Sequence, residues 1–337
     1  MTVVVTGGSG LVGSHVIQAL VARGETVRAL ARPAARAAVE RLGAVCVPGS
    51  VTDEDAWRAV MTTPGGVRGV VHAAALVAQR APFEDFVTVN AGGTERAAAA
   101  ARAAGARLVH LSSVAVYGRG SLPAGATIDE DFPFWPLAPV EYYARTKRLA
   151  EERLWEAHAR GGLWAVALRP NVIYGEYDRQ LTPRIVRFVR RGWVPQFGSG
   201  HNRLSCVYAG NVAAAVVAAL DADVPGGRPY NVTNDGGLTQ LELGAIAAEV
   251  LGVRVRHVRI PRALAQAGVG VYQGVRRILR PRAYRGVGSA AVAFLSRENP
   301  YSSERARAEL GWRPVVPPDE GLRRAVRWVI DAGPRAA

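Results

Sequence analysis

The chain contains few cysteines and almost no lysine. Its 337 residues include two cysteines, Cys46 and Cys206, which lie far apart and form neither a metal-binding nor a redox spacing. This pattern excludes a disulfide-rich secreted domain, predicts no metal site and favours a reduced, cytoplasmic protein. Of the 42 basic residues, only Lys147 is a lysine.

Long apolar runs are also absent. No uninterrupted apolar stretch reaches the roughly 18 residues of a membrane span, and no signal-peptide pattern precedes the first apolar segment. The formal net charge is +14, yet the arginines are scattered along the whole chain instead of gathering beside stacking aromatic residues. We therefore expect most of them to be solvated and predict that the protein binds no nucleic acid.

A glycine-rich run follows the first apolar segment. Val3–Val5 precede Thr6–Gly13, and an amphipathic stretch comes next. A strand, a glycine turn and a helix in this order are typical of dinucleotide binding. Gly7 allows the tight turn, Gly10 lets the backbone approach a pyrophosphate, and Gly13 lets the helix pack on the strand. A purely structural turn is the alternative. The predicted cofactor-binding residues of this run are Gly7, Gly10, Leu11, Val12 and Gly13.

The end of the second apolar run bears on the type of dinucleotide. After Thr26–Leu30, a cofactor with a free ribose 2'-hydroxyl is expected to meet an Asp or Glu. This chain has Ala31 and Arg32 there, with Arg36 one helical turn later. Because arginine can bind a 2'-phosphate through two parallel hydrogen bonds, NADP(H) is favoured. NAD(H) stays open as the alternative, since an arginine-rich chain places arginine at many positions.

Apolar runs alternate with helical patterns through the first half of the chain, which is typical of a parallel sheet with helices on both faces. We predict an α/β fold: a Rossmann-type doubly wound parallel sheet with a smaller C-terminal α/β substrate domain. The dinucleotide-binding domain is predicted over residues 1–170, with returning segments near 204–233. Residues 171–203 and 234–337 are predicted to form the substrate-binding domain.

Lys147 stands four residues after Tyr143. On a helix, this spacing makes the phenol and the ammonium group neighbours on one face. A neighbouring cation favours the phenolate, so the pKa of the tyrosine is expected to fall from about 10 towards neutrality. Such a group can serve as a general acid and base. The alternative is an exposed helix that carries an incidental Tyr/Lys pair.

Further motifs occur in a fixed order along the chain. They are the runs Thr6–Gly13, Val71–Ala75, Asn90–Thr94, Ser112–Gly118, Tyr143 with Lys147, Arg169–Gly175 and Ala306–Trp312. Together they resemble the extended short-chain dehydrogenase/reductases, the NAD(P)-dependent epimerase/dehydratase family, and its 3β-hydroxysteroid dehydrogenase-like branch in particular. The resemblance covers nearly the whole chain and implies an NAD(P)-dependent oxidoreductase that acts on a small molecule as a homodimer.

The resemblance implies a catalytic triad. Ser113 would hold the oxygen of the substrate, Tyr143 would exchange a proton with it, and Lys147 would bond the nicotinamide ribose and lower the pKa of the tyrosine. The cofactor then carries the hydride, while the protein supplies orientation and a proton donor. Ser112 is expected to bond only to backbone. The other implied cofactor contacts are Ser50, Val51, Ala73, Ala74, Asn90, Pro170 and Asn171.

Differences from the family pattern narrow the range of expected substrates. Sugar-nucleotide dehydratases resemble this chain but have an Asp-Glu pair where Val114 and Ala115 stand, so dehydration is not expected. Nucleotide-sugar epimerases hold a diphosphate with arginines, for which Arg203 is one candidate. The apolar run at residues 287–295, where a second arginine is expected, favours an apolar ligand. The predicted substrate contacts are Ser113, Tyr174 and Arg203.

The segment 254–285 is basic at both ends and mildly apolar between Leu264 and Val275. Two interpretations stay open: a peripheral contact with an anionic membrane, or a packed helix with charged ends.

Three functions remain for the whole chain. The favoured one is an NADP(H)-preferring oxidoreductase that acts on a secondary alcohol or ketone of an apolar alicyclic substrate, such as a sterol or terpenoid. The second is a nucleotide-sugar 4-epimerase or ketoreductase with the same triad. The third is a non-catalytic dinucleotide-sensing or RNA-binding relative, which the presence of all three triad residues disfavours.

Overall fold

The structure is a computed structural model that describes residues 1–77, 81–123, 125–233, 236–261, 264, 294–295 and 298–332. In chain order the strands are β1 (Thr2–Thr6), β2 (Thr26–Ala31), β3 (Val45–Pro48), β4 (Val67–His72), β5 (Arg107–Leu111), β6 (Ala165–Pro170), β7 (Val172–Tyr174), β8 (Trp193–Phe197), β9 (Cys206–Tyr208), β10 (Arg228–Val232) and β11 (Arg256–Ile260).

The α-helices are α1 (Leu11–Ala22), α2 (Arg36–Glu40), α3 (Glu54–Met61), α4 (Phe83–Phe86), α5 (Gly93–Ala103), α6 (Tyr142–Ala159), α7 (Leu181–Val189), α8 (Ala209–Asp221), α9 (Gln240–Leu251), α10 (Glu304–Glu309) and α11 (Pro318–Ala332). A π-helical turn, Val87–Gly92, joins α4 to α5, and short 3₁₀ turns cover Pro33–Ala35 and Val114–Tyr117.

The chain divides into two compact units. Unit 1 consists of Met1–Ile173, Ala209–Asp235 and Tyr301–Val315, and unit 2 of Tyr174–Tyr208, Gly236–Pro300 and Val316–Ala337.

Unit 1 is built on a seven-stranded sheet in the order β10-β6-β5-β4-β1-β2-β3, in which every neighbouring pair is parallel. Its central strands are apolar runs such as Val3–Val5, which have no exposed surface, as expected for strands covered on both faces. The predicted Rossmann-type parallel sheet is confirmed. The strand order reverses between β1 and β4, and ligands of such sheets bind beyond the carboxyl ends of the strands at this position.

Two later segments join unit 1. Arg228–Val232 return to the sheet, because β10 pairs with β6. Residues 204–208 lie in unit 2 instead, so the return begins at Ala209 with α8. Tyr301–Val315 also belongs to unit 1, although it was assigned to the substrate domain from the sequence. The side chain of Trp312 attaches this segment to unit 1, because the residue is 1% exposed and its Nε1 donates to the Asn211 carbonyl at 2.9 Å.

Unit 2 has a core of its own, formed where α7, α9 and α11 pack together and where β8 lies against α9. β8 pairs in parallel with β11. No helix in the described ranges is long and apolar enough to cross a membrane. Of the segment 254–285, only residues 254–261 and Leu264 are described, and of residues 287–295 only Phe294 and Leu295. The other residues of these two runs lie outside the described residues.

Two histidines lie in the middle of the main sheet. His72 in β4 and His110 in β5 are partners in register, and their rings stack with centroids 5.6 Å apart. His72 Nδ1 bonds the Thr6 hydroxyl at 2.9 Å, whereas neither ring nitrogen of His110 has a hydrogen-bond partner among the described residues. Burial, with the charge of Lys147 as second cause, lowers the pKa of His72 to about 3 and the pKa of His110 well below 6.5. Both rings are therefore neutral at pH 7.

Buried neutral histidines make the fold sensitive to acid. Below pH 6.5 the unfolded chain binds protons that the folded chain cannot accept, so stability falls as the pH falls. His110→Leu removes one such group. Between pH 7 and pH 5, we expect this variant to lose about 2 kcal/mol less unfolding free energy than the parent, as measured by urea denaturation. His201→Leu, at an exposed position, is the control. Equal losses in the parent and His110→Leu would contradict the expectation.

Candidate active site

The glycine turn joins β1 to α1 at the point where the strand order reverses. Gly7 has a φ of +70°, and its carbonyl accepts from the Gly10 N–H at 2.9 Å. A Cβ on Gly7 would lie 2.8 Å from the backbone nitrogen of Ala74, and a Cβ on Gly13 would lie 2.2 Å from the Gly7 carbonyl oxygen. Side chains are therefore sterically excluded at Gly7 and Gly13.

The N-terminus of α1 is free of internal anions. Gly10 is the N-cap, no side chain caps the helix, and its first turn contains no acidic residue. Leu11 and Val12 start the helix and are partly exposed. The first N–H groups of a helix lack intrahelical partners and attract phosphate. The predicted cofactor-binding residues of this turn therefore fit a dinucleotide.

Asn90 connects the segment that follows β4 to α6. It lies in the π-helical turn, an irregularity often found at functional sites. Its Oδ1 accepts from the Leu76 N–H at 2.7 Å, and its Nδ2 donates to the Thr146 hydroxyl at 3.0 Å. In the same segment, Ala74 N–H donates to the Thr6 hydroxyl at 3.1 Å. The predicted residues Ala73 and Ala74 are thus held beside the glycine turn.

The residues predicted to meet the adenosine half follow β2 and β3. Arg32 is exposed directly after β2, whereas Arg36 forms an ion pair with Glu40 at 3.8 Å. Ser50 is exposed and its hydroxyl bonds that of Thr52 at 2.8 Å. Val51 is 8% exposed and packs into the core. Arg32 is therefore a cation without an ion-pair partner among the described residues, at the end of the second strand.

The three predicted triad residues converge at the carboxyl end of β5. Tyr143 and Lys147 lie one turn apart on α6, which confirms the predicted helix. The Lys147 ammonium donates to the carbonyl of Leu111, the last residue of β5. Ser113 caps the following 3₁₀ turn, where its hydroxyl accepts from Ala115 N–H at 3.2 Å, and it lies near enough to Tyr143 to lower the pKa of that phenol.

The pKa values of the pair differ from the expectation. Burial of the phenol raises the pKa of Tyr143 to about 12, with the bond from Ser113 acting in the opposite direction. Burial lowers the pKa of Lys147 to about 8, although Glu151 works against this shift. The predicted lowering of the tyrosine pKa is wrong. Its hydroxyl is neutral at pH 7 and able to donate a proton.

Pro170 and Asn171 follow at the end of β6. Both are buried, and Asn171 Nδ2 donates to the Thr233 carbonyl at 2.9 Å. The Thr233 N–H donates to the Ser303 hydroxyl at 2.9 Å. This predicted nicotinamide-side segment is therefore fixed by the end of β10 and by the segment before α10.

A buried ion pair, not predicted from the sequence, lies behind the triad. Arg169 donates from Nε and Nη2 to the two carboxylate oxygens of Glu151, at 2.9 Å and 2.6 Å, and both side chains are at most 4% exposed. The Ser112 hydroxyl also donates to Glu151, and Arg169 Nη1 donates to the Tyr117 hydroxyl at 2.9 Å. Burial works against the charge of Arg169, but the bonds to Glu151 hold its pKa above the usual value.

This pair joins the segments that carry the triad. Glu151 lies one helical turn after Lys147, Ser112 precedes Ser113, and Arg169 precedes the Pro170 segment. Ser112 is therefore more than the backbone-bonding serine expected. Two signals were present in the sequence, although neither shows the pairing: Glu151 continues the Tyr143 and Lys147 spacing along α6, and a charged Arg169 interrupts an apolar strand.

The predicted substrate residues of unit 2 have different surroundings. Tyr174 is 2% exposed, and its hydroxyl donates to the Pro318 carbonyl at 2.9 Å. Arg203 is exposed, with its backbone N–H bonded to the Glu298 carboxylate at 3.1 Å. The hydroxyl of Tyr174 therefore already has an internal acceptor, and the assignment of both residues to substrate binding stays a prediction.

Residues 3–233 match the model of the NAD dependent epimerase/dehydratase family. This chain belongs to that family. It is an oxidoreductase of the extended short-chain dehydrogenase/reductase type, so the predicted resemblance is confirmed and the non-catalytic alternative is set aside.

Two bacterial relatives align over most of their length. The chain is 32% identical to 4-hydroxy-2-methyl-3-oxo-4-farnesyl-3,4-dihydroquinoline-1-oxide ketoreductase of Stigmatella aurantiaca, with 96% of this chain and 95% of the relative covered. It is 31% identical to 2-alkyl-3-oxoalkanoate reductase of Stenotrophomonas maltophilia (strain K279a), with 96% and 98% covered.

Steroid and sugar-nucleotide enzymes are more distant. Sterol-4-alpha-carboxylate 3-dehydrogenase, decarboxylating, of Mus musculus is 27% identical, with 96% of this chain and 89% of the relative covered. The solved UDP-glucose 4-epimerase of Thermus thermophilus, in complex with NAD, superposes with a TM-score of 0.70 at 27% identity, with 97% and 98% covered.

The buried ion pair gives a stability prediction. Glu151→Ala leaves the Arg169 guanidinium buried without its carboxylate and should lower the unfolding free energy by about 3–5 kcal/mol. The double variant Glu151→Met/Arg169→Met removes both charges, so we expect it to be more stable than Glu151→Ala in urea denaturation.

The exposed pair Arg324–Glu320 provides the control. Glu320→Ala should change the unfolding free energy by less than about 1 kcal/mol. If Glu151→Ala had an equally small effect, the ion pair would not hold these segments together.

Proposed function

We propose that this protein is an NADP(H)-preferring ketoreductase that transfers a hydride between the nicotinamide and a secondary alcohol or ketone carbon of an apolar alicyclic substrate. The observation that carries the proposal is the convergence of Ser113, a neutral Tyr143 and Lys147 at the carboxyl end of β5. The family is NAD dependent, which supports a nicotinamide cofactor. The relatives named as ketoreductase and reductase support reduction of the ketone as the direction of the reaction.

A bound nicotinamide cofactor would supply the hydride for the carbonyl carbon. Ser113 holds the substrate oxygen through its hydroxyl, within hydrogen-bonding reach of Tyr143. As the C=O bond becomes an alkoxide, Tyr143 transfers its proton to that oxygen, and the product is a secondary alcohol. A phenol with a pKa of about 12 is fully protonated at pH 7. It therefore carries the proton that reduction of the ketone requires. Lys147, anchored on Leu111, would hold the nicotinamide ribose and offset negative charge on the phenolate.

Support for an apolar substrate comes from residues and relatives together. Val114 and Ala115 follow the serine of the triad and provide no acid or base for an elimination. The ketoreductase from Stigmatella aurantiaca acts on a farnesylated quinoline, and the mouse relative on a sterol. Both named substrates combine a ring with a large hydrocarbon part.

A nucleotide-sugar 4-epimerase is the second candidate. It is favoured by the superposition on UDP-glucose 4-epimerase and by the exposed guanidinium of Arg203, which would bind a diphosphate.

Tyr143→Phe tests the proton donor. Loss of general acid catalysis should lower kcat by about 100-fold or more, while the Kd for NADPH, measured by fluorescence titration, changes less than twofold. Tyr142→Phe is the matched control, since Tyr142 packs on Phe83 with ring centroids 5.2 Å apart. Undiminished turnover in Tyr143→Phe would refute the assignment.

Arg32→Asp tests the cofactor preference. Because the variant replaces a 2'-phosphate ligand with a carboxylate, we expect its Kd for NADPH to rise by tenfold or more and its Kd for NADH to fall or stay unchanged. The exposed Arg41 provides Arg41→Asp as a control with the same charge change. Equal weakening of both cofactors by Arg32→Asp would defeat the NADP(H) assignment.

The substrate class is tested by following NADPH oxidation with cyclic ketones that carry a prenyl or sterol skeleton, 2-alkyl-3-oxoalkanoates and UDP-4-ketosugars. We expect turnover with the cyclic ketones. Thermal stabilisation by UDP- or dTDP-sugars, with no turnover of the apolar ketones, would establish the second candidate instead.

A further inference from the structure

Unit 2 exposes three apolar side chains in one region. The exposed fractions are 43% for Phe188 on α7, 37% for Trp193 on β8 and 45% for Val258 on β11. Large apolar side chains exposed together usually mark a contact surface. We call these three residues, with the neighbouring Arg184, Arg187, Arg191 and Arg256, the basic aromatic patch.

The helical part of the patch follows from the pattern of α7. Thr182, Pro183, Val186 and Val189 form its buried face. Arg184 and Phe188 are spaced four residues apart on α7 and are both exposed, so they share the opposite face, and the exposed Arg191 follows the end of the helix. The Arg191 guanidinium lies 5.8 Å from the centre of the Phe188 ring. An apolar ring is thus bracketed by two cations.

The strand part continues from Phe188. Its ring meets that of Trp193 edge to face, with centroids 5.9 Å apart and planes at 76°. Trp193 is the register partner of Arg256, and Pro195 that of Val258.

The opposite face of these two strands is covered by α9. A Cβ on Gly244 in that helix would lie 3.2 Å from Val194 and 3.4 Å from His257. Because side chains alternate along a strand, Trp193, Arg256 and Val258 lie on the face away from α9.

The two segments that carry the patch have charge of one sign. Residues 179–201 and 252–261 contain no Asp or Glu, and their arginines are all exposed: Arg179, Arg184, Arg187, Arg190, Arg191, Arg254, Arg256 and Arg259. None of these eight forms an ion pair within the described part of the chain. Arg191 and Arg256, which lie beside the exposed apolar side chains and have no ion-pair partner in the described ranges, call for an anionic partner that also accepts apolar groups.

We propose that the basic aromatic patch docks the protein on the surface of an anionic phospholipid bilayer. Trp193, Phe188 and Val258 enter the boundary between headgroups and acyl chains, and the arginines bind the lipid phosphates. A single-stranded nucleic acid fits less well. Its successive bases need ring faces on which to stack, whereas these two rings meet edge to face and the third apolar residue is a valine.

The test measures binding of the full chain to vesicles by flotation, without substrate or cofactor, so its outcome is independent of the proposed function. Vesicles of phosphatidylcholine alone are compared with vesicles containing 30% phosphatidylglycerol, in about 0.1 M salt. We expect binding to the anionic vesicles only, weakening as salt is raised.

Two variants identify the surface. Arg191→Gln/Arg256→Gln should weaken vesicle binding by about 30-fold, at roughly fivefold per arginine. Phe188→Ala/Trp193→Ala should weaken it by at least tenfold. The control Arg41→Gln/Arg153→Gln removes two exposed arginines of unit 1 and should bind like the parent. Thermal denaturation checks that every variant is folded.

Three results would overturn the proposal. The parent could fail to bind anionic vesicles, or the patch variants could bind as tightly as the control. The parent could also bind a fluorescent single-stranded oligonucleotide and leave the vesicles free, which would assign the surface to nucleic acid.

Discussion

The buried ion pair between Glu151 and Arg169 is the interaction on which the geometry of the site depends. Of the segments that carry residues of the site, this pair with its hydrogen bonds reaches four: α6, the end of β5, the 3₁₀ turn after it and the end of β6. A buried pair of charges is weak evidence for stability, because removing both from water costs nearly as much as their attraction returns. The pair instead fixes the geometry of the four segments, since short charge-assisted bonds at fixed angles allow one arrangement of these backbones.

Burial decides the electrostatics of the same region. Lowering the pKa of Lys147 from 10.5 to about 8 corresponds to about 3 kcal/mol of stability given up at pH 7. His72 and His110 lie close enough to that ammonium for its charge to lower their pKa values further. Two neutral imidazoles, on β4 and β5, thus lie near the charged side chain of Lys147 on α6. Residues kept at such a cost are typical of functional sites, where stability is exchanged for activity.

Much of the site could be predicted from local sequence. The glycine turn, the Tyr143/Lys147 helix and the alternating strands are set by residues close together in the chain, and the structure has them where they were expected. The Glu151–Arg169 pair could not be predicted, because its partners lie on different elements and meet only in the fold. The direction of the Tyr143 pKa shift was missed for a related reason: spacing shows which charge is near, but the degree of burial follows from tertiary packing. The homodimer and the cytoplasmic location stay predictions.

The scarcity of lysine has a chemical consequence. Reagents that acylate lysine find one such side chain in this sequence, that of Lys147. Its ammonium group is bonded to a strand carbonyl, and the residue is 2% exposed. Modification of this amine therefore requires α6 to separate from β5. Lys147 can therefore serve as a probe, because the rate at which it is labelled measures how often α6 opens.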